Sequence, residues 1–153
     1  MEVVPTFAGL PQTTDAARGL TLLQSGTAQS LAMMNLKPED RAMVARTARE
    51  ICASLTVAKP ELIALEIEAL ALHYPAFNRT SQESRVANAH WLEDLGDWPV
   101  DLIREACRKW RNSAERYFPT PGQLKALASN ELMARRVLAD RASEFLKLLE
   151  RAA

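Results

Sequence analysis

The sequence predicts an all-α fold: a compact bundle of about four to five short helices with a long C-terminal helix. Three observations carry this expectation. From Lys37 onward apolar residues recur at three- and four-residue spacing, and prolines or capping residues stand at the starts of the periodic stretches. No stretch alternates apolar and polar residues as a half-buried strand would, and no internal repeat is evident.

Residues 1 to 36 differ from the rest. They hold three of the five glycines (Gly9, Gly19, Gly26), both Pro5 and Pro11, and a single basic residue, Arg18. Gly19 and Gly26 each weaken a helix by about 1 kcal/mol relative to Ala, so helix around Leu20 to Leu36 is expected to be weak. The segment reads as a weakly ordered N-terminal arm, residues 37–128 as a helical core domain, and residues 129–153 as a C-terminal helical extension.

The core elements follow from local chemistry. Pro38 suits a first helical turn, and Glu39 and Asp40 behind it suit the positive end of the helix dipole. An apolar stripe then runs through Val44, Ala48, Ile51 and Leu55. Pro60 opens a second helix that is apolar over most of its circumference (Leu62, Ile63, Leu65, Ile67, Leu70, Leu72), the pattern of a central helix packed on several sides. It stops at Tyr74-Pro75, because a residue before proline is pushed out of the helical region.

Thr80-Ser81-Gln82-Glu83 has the form of a capping box, and the helix behind it carries Ala87, Trp91 and Leu95 and ends near Gly96. Asp97-Trp98-Pro99 begins the next, with Ile103, Ala106, Cys107 and Trp110 facing inward. Phe118-Pro119-Thr120-Pro121 forces an extended corner at which Thr120 can cap and Pro121 is pre-set for a first turn. Beyond it the seam Leu124, Leu127, Ala134, Leu138, Ala142, Phe145, Leu149 describes one helix of roughly 30 residues or two shorter ones.

Composition excludes several classes of function. Nineteen Lys and Arg balance nineteen Asp and Glu, which argues against a general polyanion binder, since such affinity comes from basic side chains displacing counterions. Cys52 and Cys107 lie far apart without CxxC spacing, so no disulfide framework or structural zinc is expected and a cytoplasmic setting fits best. The N-terminus lacks a basic n-region and no stretch approaches the length of a membrane span.

The chain is also poor in reactive constellations. It has no GxxxxGK[ST], GxGxxG or GxSxG motif, and its few glycines leave little to build a phosphate-cradling loop. His73 and His90 stand without metal-ligand spacing, both cysteines sit in apolar stripes, and Glu66/Glu68 and Glu93/Asp94 splay apart rather than converge. No catalytic residue, metal or cofactor is expected.

One basic cluster stands out. Between Arg104 and Lys125 there are six basic residues against two acidic ones, and Arg104, Arg108 and Arg111 share a helix face opposite Ile103, Cys107 and Trp110. With Arg116 they form a row that suits a phosphate backbone, an acidic protein surface, or simply the solvated side of an amphipathic helix with Asp101/Arg104 and Glu105/Lys109 pairing locally. Seven of the nine aromatic residues (Tyr74, Phe77, Trp91, Trp98, Trp110, Tyr117, Phe118) fall between positions 74 and 118, marking the densest core.

The segment from Leu62 to Leu127 resembles the folded domain of phage replicative-helicase inhibitor/loader proteins. The resemblance rests on Tyr74-Pro75-Ala76-Phe77, on Trp91-Leu92 and Leu95, on Asp97-Trp98-Pro99 with Ala106 and Trp110, and on Phe118-Pro119-Thr120-Pro121 with Leu124 and Leu127. It implies a non-enzymatic adaptor that binds the host's replicative DNA helicase, holds it inactive and hands it to a phage initiator. It also implies a partner contact in the C-terminal extension, here Arg135, Arg136, Leu138, Phe145 and Leu149. The extension departs from the family pattern in being strongly helical, and its seam needs a cover: the body of the chain, a second copy in a homodimer, or a groove on another protein. The alternatives to helicase loading are a nucleic-acid-binding helical module using the arginine row, or a phage inhibitor of another host machine such as a defence nuclease.

Overall fold

The computed structural model describes residues 14–25, 36–74 and 80–152, and among these every regular element is α-helical. The elements are α1 (Thr14–Ser25), α2 (Pro38–Ala53), α3 (Pro60–Ala71), α4 (Ser81–Leu95), α5 (Val100–Arg111), α6 (Pro121–Ala126) and α7 (Ser129–Ala152). The fold class is all-α with a long C-terminal helix, as the periodicity predicts. Among the described residues no helix is long and apolar enough to cross a membrane.

The starts of the helices follow the local rules. Pro38, Pro60 and Pro121 occupy the first turns of α2, α3 and α6. Thr80 caps α4: its hydroxyl accepts from the Glu83 amide, and the Glu83 carboxylate accepts from the Thr80 amide at 2.7 Å. Thr120 builds the same reciprocal pair with Gln123, a partner the sequence reading passed over.

The chain divides into two compact units, residues 1–56 with 133–153, and residues 57–132. These boundaries are not those of an arm, a core domain and an extension. In the first unit α1 lies within the stretch expected to be a weak arm, yet Leu23 is fully buried among Val44, Ala48, Ile51, Ala142 and Phe145. Packing supplies what the glycine takes away, since tertiary contact outweighs a propensity cost of this size. The remainder of the arm, residues 1–13 and 26–35, lies outside the described residues, as does Phe77.

Two helix ends in this unit meet arginines of α7. The Arg135 guanidinium donates to the carbonyl of Ser54, the C-cap of α2, at 3.3 Å, and Arg141 donates to the carbonyl of Gln24 in the last turn of α1, also at 3.3 Å. Both place a cation at the negative end of a helix dipole, where unpaired carbonyls need donors. Arg18 and Asp40, 3.3 Å apart, join the outer sides of α1 and α2.

The second unit is built around tryptophans. Trp91, Trp98 and Trp110 are buried with Ile63, Leu70, Leu95, Leu102, Ile103 and Leu124. The Ala58 amide donates to the Trp98 carbonyl at 2.9 Å, tying the start of α3 to the turn before α5. Phe118 receives Tyr74 and Trp91 edge-on, with ring centroids 6.2 and 5.7 Å away, which holds the corner before α6. Tyr117, expected in the core, is instead exposed; its ring lies across Trp110 and its carbonyl accepts the indole N–H at 3.1 Å.

The stretch after Pro121 is two helices. The backbone N–H groups of Leu127 and Ala128 close α6 by donating hydrogen bonds to the carbonyls three residues back. The Leu127 carbonyl then accepts from the Lys109 ammonium at 3.1 Å, and the same ammonium lies 3.0 Å from the Glu131 carboxylate. One lysine of α5 thus supplies the donor that the break at Leu127 requires.

Candidate functional site

The residues singled out by sequence fall in both units. Arg104, Arg108, Arg111 and Arg116 belong to the second; Arg135, Arg136, Leu138, Phe145 and Leu149 belong to the first.

On α5 the buried and exposed sides separate as expected: Leu102, Ile103, Ala106, Cys107 and Trp110 face inward while Arg104, Arg108 and Arg111 are exposed, as is Arg116 beyond the helix. The pairing differs from the expected local ladder. Arg104 reaches across to Glu66 on α3, its Nη2 2.7 Å from the carboxylate and its Nε donating at 2.8 Å. Arg108 forms a two-pronged contact with Glu105 at 2.6 and 2.8 Å. Lys109, expected to meet Glu105, meets Glu131 instead. The reason is geometric: Glu105 is captured by the guanidinium fork of Arg108, which matches a carboxylate in two places.

These contacts shift the charges in matching directions. The hydrogen bond and charge of Glu66 raise the Arg104 guanidinium above its ordinary pKa, and the hydrogen bond from Arg108 lowers the Glu105 carboxyl. Three of the six basic residues counted between Arg104 and Lys125 therefore already face carboxylates. The excess positive charge of this face is smaller than the sequence tally implies.

The C-terminal group is placed in the interior. Leu138 and Phe145 are buried in the core of the first unit and Leu149 packs half-buried against it. Their apolar surface packs against α1 and α2 of the chain itself, the first of the three covers open to the seam. Arg135 is buried at the end of α2, and Arg136 is exposed on α7.

The cysteines are core residues. Cys107 is fully buried, and that burial, with the Glu66 carboxylate adding to it, pushes its thiol up to about 12. Cys52 is half-buried, its thiol 3.7 Å from the Ala139 carbonyl, and burial raises it too. A thiol so shifted holds almost no thiolate near neutral pH, which is the reactive form. His73 and His90 are both exposed. Among the described residues no group of three His, Cys, Asp or Glu is placed to hold a metal ion.

α3 is less enclosed than its sequence suggests. A helix apolar over most of its circumference was expected to be enclosed, yet only Ile63, Ile67 and Leu70 are buried. Leu62, Leu65 and Leu72 stand exposed, with Ala69 between them. The signal was present: Leu62, Leu65, Ala69 and Leu72 follow the alternating three- and four-residue steps of a coiled-coil seam, and Glu61 and Glu68 flank it. Compared with protein-family models, curated proteins and solved structures, the chain matches none of them.

Proposed function

We propose that this chain is a non-enzymatic adaptor of the phage helicase inhibitor/loader kind, binding the replicative DNA helicase of the host and inhibiting or loading it. One observation carries the reading. The segment that resembles the loader domain, Leu62 to Leu127, falls within the compact unit of residues 57–132. Several of the residues that carry the resemblance also hold that unit together: Trp91, Leu95, Trp98, Ala106, Trp110 and Leu124 are all buried in it. A shared pattern of core positions supports a shared domain, and the role comes with it by analogy.

Such an adaptor acts by binding one state of the helicase more tightly than another, so its effect on unwinding is limited by that difference in affinity. Because the α7 seam is covered within the first unit, the contact uses the remaining exposed surface and not Leu138 or Phe145. Purified chain mixed with a bacterial replicative helicase is expected to co-elute with it and to alter its ATPase and unwinding rates. Absence of a complex at about 10 μM, an affinity of roughly −7 kcal/mol, together with unchanged rates, overturns the reading.

The nucleic-acid reading has less support, because Arg104 and Arg108 already face carboxylates and Lys109 closes a helix break. A phosphate backbone would have to displace those acids.

A further inference from the structure

We propose that the exposed leucine row of α3 is a docking surface for an amphipathic helix of another protein, one whose own apolar row is flanked by lysines or arginines. The proposal shares with the adaptor reading only that this is a protein-binding chain; it does not depend on the partner being a helicase.

The helix has two apolar sides with different fates. Ile63, Ile67 and Leu70 face the core of the second unit, and α3 packs there on α4 and α5. On the other side Leu62 is 38% exposed, Leu65 57% and Leu72 86%. Single exposed leucines are ordinary, but a row of them is not. Leu62 and Ala69 take the first position of a heptad and Leu65 the fourth, and Leu72, the C-cap residue just past α3, falls at the next fourth position, the arrangement that interdigitates with a second helix.

The flanking charges decide what that second helix carries. Glu61 and Glu68 occupy the position just before each heptad, and both are exposed; Glu66 and His73 occupy the opposite flank. Glu66 is engaged by Arg104, which leaves the Glu61/Glu68 edge as the acidic one. A second copy of this chain fits poorly. Antiparallel pairing sets Glu61 and Glu68 against the same two carboxylates; parallel pairing sets them against Glu66, already paired with Arg104, and against His73 in the turn after α3, neither of which supplies a lysine or arginine flank. Like charges across such a seam oppose association, whereas basic flanks complement it and fix the register.

The test uses the full chain and synthetic fluorescent peptides of about three heptads with leucine at both seam positions, carrying either lysine or glutamate at both flanks; lysine at every flank also keeps the free peptide from pairing with itself. Anisotropy titration is expected to show the lysine peptide binding and the glutamate peptide binding at least about tenfold more weakly. Leu65→Glu is expected to abolish binding with an unchanged melting temperature, since Leu65 is exposed. The double charge reversal Glu61→Lys with Glu68→Lys is expected to invert the preference between the two peptides. Equal binding of both peptides, or of neither, overturns the proposal. So does a dimer of the chain in sedimentation that Leu65→Glu dissolves, which would assign the row to a second copy. A chain that binds the lysine peptide but no helicase retains this surface and loses the helicase reading; the converse result does the opposite.

Discussion

Gly19 of α1 stands directly against Thr47 of α2: a Cβ placed on Gly19 would lie 2.9 Å from the Thr47 Cβ and closer still to its hydroxyl. Thr47 is buried and its hydroxyl donates to the Met43 carbonyl at 3.1 Å, so the side chain is held in place by its β-branching and by that bond. The glycine is therefore a close-approach residue that lets α1 cross α2. In an isolated helix Gly19→Ala would gain about 1 kcal/mol. Here the overpacking cost of about 1–3 kcal/mol prevails, and the variant is expected to melt several degrees lower. Thr47→Ala in the same chain removes the hydroxyl and should restore part of the loss, measured as a coupling in a double-mutant cycle by denaturant unfolding.

That position also shows where the sequence stops being informative. Helix starts were legible because their chemistry is local: Thr80 and Glu83 satisfy each other three residues apart, and Val44, Ala48 and Ile51 announce a buried stripe by spacing alone. Gly19 was read for its propensity, but its role is set by a residue 28 positions away that no local rule identifies. The same limit governed the candidate site. The arginine row on α5 was visible, whereas its partners Glu66 and Glu131 come from other helices, 38 positions from Arg104 and 22 from Lys109. The α7 seam was legible as apolar; that α1 covers it was not, because α1 itself carried a glycine. On α3 the difficulty was of another kind, since two apolar sides of one helix look alike until packing chooses between them.

Arg135 is expected to act on stability before it acts on any partner. Its guanidinium is buried and donates to the Ser54 carbonyl at the end of α2. Arg135→Met keeps the stem and removes the donor, leaving a carbonyl at a helix C-terminus without it. A loss of about 1–3 kcal/mol in urea unfolding is expected, while Arg136→Ala on the exposed side of α7 should cost less, within the about 0–1 kcal/mol of a solvent-exposed interaction. Equal effects for the two would contradict this assignment.

Phe118 holds the corner between α5 and α6 through edge-on contacts with Tyr74 and Trp91. Truncating a half-buried ring costs less than truncating a fully buried one, so Phe118→Ala is expected to destabilise by about 2 kcal/mol. Trp91 loses a packing neighbour in the same step. Its fluorescence, isolated in a background where Trp98 and Trp110 are replaced by Phe, should shift to the red as water reaches the ring. An unchanged spectrum would mean that another group fills the space left by the phenyl.

Cys107 makes the stability of the chain sensitive to alkali. In the unfolded chain its thiol ionises near 9, whereas burial in the fold pushes it up to about 12. Between those values the unfolded state releases a proton that the folded state retains, so the unfolded state binds fewer protons and the unfolding free energy falls as pH rises. Below pH 9 the thiol is protonated in both states and contributes no pH dependence. Cys107→Ala removes this term at the cost of a small cavity, so the variant starts less stable at pH 7 and loses less on going from pH 9 to pH 11. The gap between the two proteins should narrow over that interval, read from urea midpoints at matched ionic strength. Parallel curves would show that Cys107 is not the group responsible. Thiol labelling at pH 8 offers an independent check: half-buried Cys52 should react first, and Cys107 only at the rate at which the second unit opens.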